Sequence, residues 1–296
     1  MSANEKSQRS ASSSRDRPVG VTGTWGERPW IMGIVNVTPD SFSGDGIGGD
    51  PAALRELARR HIAAGAAILD VGGESTRPGA VPVGLAEELA RVLPVIAALA
   101  GGDTPISVDT SRAAVAEAAL RAGARIVNDV SALADRDLAR VAAAHRAWLV
   151  VTHNGWTLRD EGSDDIARRV GDALERLTAE AIAAGLPAER VIVDPGLGFG
   201  KRPEENLELL RRLPELRARF PRQPLLVGPS RKRFIGQVLG LDVGDRLEGT
   251  LACVALAVAA GADIVRVHDV LPAVRVARMA RAIAGPTASQ DGSGPS

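Results

Sequence analysis

The sequence predicts an α/β fold in which parallel strands alternate with helices, and three observations carry that prediction. Short apolar, β-branched segments recur, and eight of them run into polar residues. Helical patterns fill the intervals between them. Four of the joins share one form: "HIAAGAAILDV", "ALRAGARIVND", "AIAAGLPAERVIVD" and "AVAAGADIVRVHD" each read as a helix end, a glycine, a short strand and a polar residue. Gly65, Gly123, Gly185 and Gly261 stand where a helix closes its last turn in the left-handed conformation. Links this short, repeated, build a parallel sheet from βα units.

Taken in order, the first strand is read over 31–36 (IMGIVN), and a helix over 51–64 opens at Pro51. Strand 67–71 leads to helix 84–100. Pro105 opens strand 105–109, and helix 112–122 follows. Strand 125–129 leads to helix 135–145, and strand 148–152 to helix 165–184. Pro187 separates that helix from strand 190–194, and Pro203 precedes helix 204–213. Strand 224–228 starts at Pro224 and is followed by helix 246–260. Strand 263–267 and helix 270–283 complete the series. Eight strands and eight helices in about 250 residues fit a (β/α)8 TIM barrel. A doubly wound open sheet would carry a G-x-G-x-x-G turn after its first strand. The chain has "NVTPDSFSGDGIGG" there instead. No linker divides 28–284, which is expected to form one domain. Residues 1–27 are read as a flexible polar segment and 285–296 as a disordered tail.

Composition narrows the function classes. Among 296 residues the charges cancel at 36 basic and 36 acidic, which gives no footprint for nucleic acid or an anionic membrane. Aromatic residues are 3% and tyrosine is absent, so base-stacking platforms are not expected. The single Cys253 lies in "TLACVALAVAA" and reads as a buried inert thiol. The N-terminus lacks the apolar stretch of a signal peptide. "ALAVAAGADIV" is too short to span a bilayer. A cytoplasmic protein is expected.

In such a barrel every strand's C-terminus opens on one face, where the βα loops build the site. Strand one delivers Asn36, then Thr38, Asp40, Ser41 and Phe42. Strand two delivers Asp70 and the loop with Glu74, Ser75, Thr76 and Arg77. Asp109, Asn128, Asp129, His153, Asn154 and Asp194 come from strands three to six. Ser230, Arg231 and Lys232 follow strand seven, and Arg266 and His268 come with strand eight. Some of these carboxylates serve helix ends: Asp135 and Asp165 read as caps, and Asp109 has that alternative too. Asp109, Asn128 and Asp194 otherwise suit a flat heterocycle with an N–C–NH₂ edge, because a carboxylate accepts two parallel N–H bonds. A divalent cation is the competing ligand. Arg77, Arg266 and His268 form an anion-binding group suited to phosphate or pyrophosphate. Lys232 is placed to donate to ring acceptors, with Arg231 and Arg233 facing solvent. His61 and His145 read as structural or surface residues.

The motifs "IMGIVNVTPDSFSGDG", "GAAILDVGGESTRPGA", "ISVDTSR", "IVNDVSAL", "VIVDPGLGFGK", "GPSRKRFIG" and "GTLACVALAVAAGADIVRVHDV" closely resemble the dihydropteroate synthase family, over about residues 28–284. That resemblance implies a TIM barrel that joins (7,8-dihydropterin-6-yl)methyl diphosphate to 4-aminobenzoate. It implies that Asp109, Asn128, Asp194 and Lys232 hold the pterin. Asn36 would bind Mg²⁺ together with the diphosphate. Thr76, Arg77, Arg266 and His268 would hold the diphosphate, and Phe42, Thr76, Arg77, Pro78 and Ser230 the aminobenzoate. The implied reaction is dissociative, needs no enzyme nucleophile, and takes place in a homodimer. Asn36, Arg77, Lys232, Arg266 and His268 are then the catalytic set. Two departures stand out. The first loop, "SFSGDGIGGD", is longer than the family's usual form. Thr152 and Asn154 flank His153 where the family often has methionine, which puts pterin packing there in question. A pterin-binding methyltransferase barrel and a non-catalytic pterin binder are the rival readings. "ESTRPG", "SRK" and "RVHD" weigh against the first, and retention of both loop motifs with the complete diphosphate group weighs against a non-catalytic binder of a pterin or a protein partner.

Overall fold

The computed structural model describes residues 28–37, 51–75, 81–158 and 164–285. Its strands are β1 (Trp30–Asn36), β2 (Ile68–Gly72), β3 (Ile106–Asp109), β4 (Ile126–Asp129), β5 (Trp148–Thr152), β6 (Val191–Asp194), β7 (Leu226–Val227) and β8 (Ile264–Val267). They lie in one sheet in the order β6-β5-β4-β3-β2-β1-β8-β7, and every pairing is parallel. A parallel bridge between Val193 and Leu225 joins the two ends of that order, so the sheet curls into a barrel. This is the (β/α)8 TIM barrel that the alternating pattern predicts.

The helices are α1 (Pro51–Ala63), α2 (Leu85–Leu99), α3 (Ala113–Ala122), α4 (Asp137–Ala144), α5 (Gly155–Leu158), α6 (Ile166–Ala183), α7 (Pro203–Arg211), α8 (Leu213–Arg219), α9 (Arg233–Leu239), α10 (Leu247–Ala259) and α11 (Val270–Ala284). Three of them were not expected. α5, α8 and α9 span four to seven residues, too few to display a 3.6-residue period. α8 starts where the predicted helix 204–213 ends, with Pro214 in its first turn, where a missing N–H costs nothing. Gly240, at φ 70°, ends α9.

The core has two layers. Trp30, Met32, Ile68, Ile126, Trp148, Val150, Ile192, Leu226 and Ile264 fill the barrel interior. Leu69, Val71, Val108, Val127, Leu149, Val151, Val193 and Val265, on the opposite face of the strands, pack under the helices. Side chains alternate along a strand. The interior residues therefore fix which residues of the next step look into the mouth. Ile68 is followed two residues on by Asp70, buried Ser107 by Asp109, Ile126 by Asn128, Val150 by Thr152, Ile192 by Asp194 and Ile264 by Arg266. Carboxylates at strand ends are thus the top layer of the barrel's own interior. Asp129 has the other parity. Its oxygens accept from Ser131 N at 2.8 Å and Leu133 N at 2.6 Å, so it shapes the turn after β4 and leaves the mouth to Asn128.

The capping assignments resolve in the same way. Asp165 accepts from Arg168 N at 3.0 Å and caps α6. Asp135 accepts from Asp137 N at 3.0 Å and from Ala113 N at 2.8 Å, serving α3 as well as its own turn. Asp109 caps nothing. Cys253 is buried, and burial pushes its thiol up to about 11, as expected for an inert side chain. His61 is buried and its Nε2 lies 3.1 Å from the Ile34 carbonyl, whereas His145 is exposed. Among the described residues no helix is long and apolar enough to cross a membrane.

Candidate active site

Arg266 is the hub of the mouth. Its Nε donates to Asp70 Oδ2 and its Nη2 to Asp109 Oδ2, each at 2.6 Å. Asn128 Nδ2 donates to the same Asp70 oxygen at 3.0 Å. The guanidinium side chain is only 18% exposed. Two carboxylates already hold it. Burial lowers the tendency of Arg266 to be charged, and Asp70 and Asp109 more than offset this, so its pKa is raised. Asp109 feels the reverse balance. Burial pushes its carboxyl up to about 7, against the pull of Arg266. Asp70 Oδ1, Asn128 Oδ1 and Thr152 Oγ1 are buried with no hydrogen-bond partner among the described residues. Buried acceptors rarely stay unpaired, so this cluster is chemically suited to a polar ligand.

Asp194 lies across the mouth. Its Oδ1 accepts from Gly196 N at 2.7 Å, and burial raises its pKa despite that bond and the nearby Lys232, Lys201 and Arg266. The segment after it, "PGLGFGK", folds back through Gly196 (φ 66°) and Gly198 (φ 80°). This carries the Phe199 ring to 4.0 Å below Lys232 Nζ. Lys201 pins the turn: its Nζ is 2.8 Å from His153 Nδ1 and 2.8 Å from the Gly196 carbonyl, and 3.1 Å from the carbonyls of His153 and Phe199. An ammonium has no lone pair, so Nδ1 accepts and the ring proton sits on Nε2. A Cβ at Gly196 would stand 2.0 Å from the His153 carbonyl oxygen. Gly196→Ala is therefore expected to cost about 3 kcal/mol or more, since the clash adds to a backbone conformation alanine resists. Urea unfolding reads this directly. An unchanged midpoint would mean that the turn has another conformation of equal energy.

Two further groups frame the mouth. Ser230 Oγ lies 2.9 Å from His268 Nδ1 and accepts from His268 N at 3.2 Å, tying the end of β7 to the end of β8. Arg112 Nη1 donates to Glu74 at 2.7 Å and also reaches Glu88, and its Nη2 donates to the Val83 carbonyl at 2.8 Å. It thereby grips both flanks of the loop after β2. A cavity of about 800 Å³ opens between these groups, lined among others by Asn36, Asp109, Ser230, Lys232, Arg266 and His268. Asn128 and Asp194 belong to the same mouth but do not line that cavity, being 1% and 5% exposed.

The strand ends thus bring together Asn36, Asp109, Asn128, Asp194, Ser230, Lys232, Arg266 and His268. Phe42, Thr76, Arg77 and Pro78 lie outside the described residues, as do Thr38, Asp40 and Ser41. One expectation is corrected. Arg231 does not face solvent: its side chain is 14% exposed and pairs with Asp269. His268 stands just past the end of β8, so it joins Arg266 through the loop as well as through strand parity. Asn154 serves the local backbone. Its Nδ2 donates to the Val130 carbonyl at 2.8 Å and its Oδ1 accepts from Trp156 N at 3.0 Å, so it holds the start of α5. Phe199, Lys201, Trp156 and Asp70 received no role from sequence reasoning. "DPGLGFGK" carried the signal for the first two, as an aromatic residue between two glycines and a lysine directly after the second.

A barrel whose inner strand ends present three carboxylates and an amide beside an arginine, a lysine and a histidine is the architecture of a small-molecule enzyme that handles a polar ring and an anion. The family described as pterin binding enzyme matches residues 32–268. A dihydropteroate synthase from Synechocystis sp. is 46% identical over 276 residues, covering 90% of this chain and 94% of that one. Dihydropteroate synthase from Xanthomonas albilineans with 4-aminobenzoic acid superposes with a TM-score of 0.81 at 40% identity, covering 87% of this chain and 93% of that one. The same organism's enzyme in complex with 7,8-dihydropteroate gives a TM-score of 0.77 at 38% identity, with 87% and 94% covered. The chain belongs to the pterin-binding enzymes, and within them to the dihydropteroate synthases, transferases of folate biosynthesis.

Proposed function

We propose that the barrel mouth condenses (7,8-dihydropterin-6-yl)methyl diphosphate with 4-aminobenzoate, releasing pyrophosphate, by a dissociative route. The observation that carries this reading is the inner layer of Asp109, Asn128 and Asp194 with Arg266 and Lys232 beside it. Asp109 and Asp194 accept the N–H edge of the pterin, the Asn128 amide fills the remaining edge, and Lys232 donates to ring acceptors. Arg266 Nη1 has no partner among the described residues, and this donor and His268 take the diphosphate. Arg266 then moves away from Asp109, freeing it for the ring. Thr76 and Arg77 join the anion site. Phe42, Thr76, Arg77, Pro78 and Ser230 hold the aminobenzoate. The cationic groups stabilise the leaving pyrophosphate, and the electron-rich dihydropterin supports the cationic methylene that the arylamine attacks.

Mg²⁺ fits the donors present. Among the described residues no group of three or more His, Cys, Asp or Glu side chains is placed to hold a metal. A magnesium ion keeps several waters and takes most of its other oxygens from a substrate's phosphates. The Asn36 amide, half-buried on the cavity wall, supplies the one protein oxygen such an ion needs. When bound it neutralises diphosphate charge. The protein is read as cytoplasmic and homodimeric. Leu256 of α10 and Met279 and Ile283 of α11 are 60–76% exposed, on two helices packed against each other. An uncovered apolar surface of that kind suits a second copy of the chain, and sedimentation would show a dimer.

The test of the reaction is pyrophosphate release by purified protein with Mg²⁺, the pterin diphosphate and 4-aminobenzoate, each omitted in turn. Dihydropteroate forms only with all present. Pterin binding without product would overturn the synthase reading. Affinity also carries a pH signature. Asp109's folded pKa of about 7 lies above its ordinary 3.8. The folded apo protein therefore holds a proton that the unfolded chain releases, and this group's contribution to stability is lost as pH rises through about 7. A ring N–H needs the carboxylate, so pterin affinity rises over that same window. Calorimetry from about pH 5.5 to 8 should show this rise, weakened in Asp109→Asn. Asp194, also raised by burial, accounts for what remains.

A further inference from the structure

The residues Pro229 to Lys232 form a tight turn. Lys232 N donates to the Pro229 carbonyl at 3.2 Å, and the third residue of the turn, Arg231, has φ 54°. That position favours glycine, because a side chain there crowds the backbone. The chain places an arginine in it, directly between Ser230 and Lys232.

Three contacts hold this residue in place. Its Nε and Nη2 donate to the two oxygens of Asp269 at 3.1 and 2.8 Å. Its N–H donates to Thr250 Oγ1 at 3.0 Å, and its carbonyl accepts from Arg246 Nη1 at 3.1 Å. The Arg231–Asp269 pair runs beside the Ser230–His268 pair, so consecutive residues after β7 are stitched to consecutive residues after β8. The Arg231 side chain is 14% exposed and its charge is met by Asp269. Asp269 precedes α11 yet makes no side-chain cap bond there, so its carboxylate has no helix-end duty competing with this contact.

We propose that Arg231 and Asp269 are positioning residues, whose forked ion pair clamps a strained turn and thereby sets Ser230 and Lys232 toward His268 and the pterin. Persistent strain beside a site is held only where its surroundings over-determine it. The clamp aligns the lysine of the pterin site with the histidine of the anion site. The roles of Ser230, Lys232 and His268 rest on the function proposed above.

The experiment compares the unmodified full-length chain, Asp269→Asn, and Asp269→Asn combined with Arg231→Gly. Each is measured for kcat, for KM of both substrates, for melting temperature, and for calorimetric affinity toward 6-hydroxymethylpterin. Asp269→Asn keeps the side-chain shape but loses the charge. It should lower kcat/KM about tenfold to a hundredfold, the scale of a misplaced catalytic group, and weaken the pterin. Glycine at 231 adopts the turn without a clamp, so the double variant should regain much of both losses. A purely structural pair predicts the opposite, because the double variant has lost still more contacts. If the double variant is no better than Asp269→Asn, the proposal is overturned. If Asp269→Asn does not fold, folding and pterin binding regained with glycine at 231 support it, and failure of both variants overturns it. If the unmodified chain makes no dihydropteroate, the proposed reaction falls, and the pterin affinities still decide whether the clamp orders this turn.

Discussion

Arg266→Met is expected to cost about 3–5 kcal/mol of stability near pH 8, the usual result of breaking a buried pair and leaving its charges behind. Asp70 and Asp109, 0% and 8% exposed, then face each other without the cation that joins them. Methionine fills the stem volume but offers no donor. The cost has a sign in pH. Without Arg266, Asp109 loses the cation that opposes its burial and its repulsion by Asp70, so its carboxyl is held still further above its ordinary range and the folded variant binds a proton that the unfolded chain does not. Its stability is therefore fullest in acid and falls as pH rises through neutrality, more steeply than in the unmodified protein. Urea unfolding at about pH 5.5 and 8 measures both effects. Turnover should drop by about a hundredfold or more, because one preorganised donor to a leaving anion is commonly worth that much. A variant as stable as the parent at both pH values would show that Arg266 and its two carboxylates are not the single buried unit their geometry defines.

The second large effect separates binding from stability. Asp194→Asn keeps an oxygen that accepts the Gly196 N–H, now 2.7 Å from Asp194 Oδ1, so the glycine turn stays closed. What it loses is a charged acceptor for the pterin edge. Hydrogen bonds to charged groups contribute about 1.5–3 kcal/mol, so pterin affinity should fall by roughly tenfold to a hundredfold. Stability should hold or rise at neutral pH, because burial opposes the Asp194 charge and an amide carries none. Calorimetric titration with a pterin and a thermal melt read the two quantities separately. Unchanged affinity would remove Asp194 from the pterin site. A large fall in melting temperature would make it a structural carboxylate whose main service is to Gly196.

These two residues also show how much of the site is legible without coordinates. Asp194 and Asp109 stand at the ends of "VIVD" and "ISVD", and strand periodicity alone sends them to the same side as Ile192 and Ser107. Strand four was not separated in this way: the sequence delivers both Asn128 and Asp129 to the mouth, and the inward packing of Ile126 tells them apart. Short helices escaped the reading where fewer than two turns gave no period, as in α5, α8 and α9. The turn that carries Phe199 and Lys201 was not read from its glycines, and nothing local says that the lysine would serve as its pin.

The sequence by itself determined the strand–helix alternation, the parity of each strand and hence the residue types that collect at the mouth. All of these follow from local periodicity and turn chemistry. Only the tertiary structure decided who pairs with whom. Arg266 reaches Asp70 across 196 positions of chain and Asp109 across 157. Arg231 meets Asp269 only because β7 and β8 end side by side. The reason is physical: closing the barrel sets neighbours by strand order and register, and the burial that follows sets which charges must find a partner. No stretch of sequence short enough to show a period contains that information.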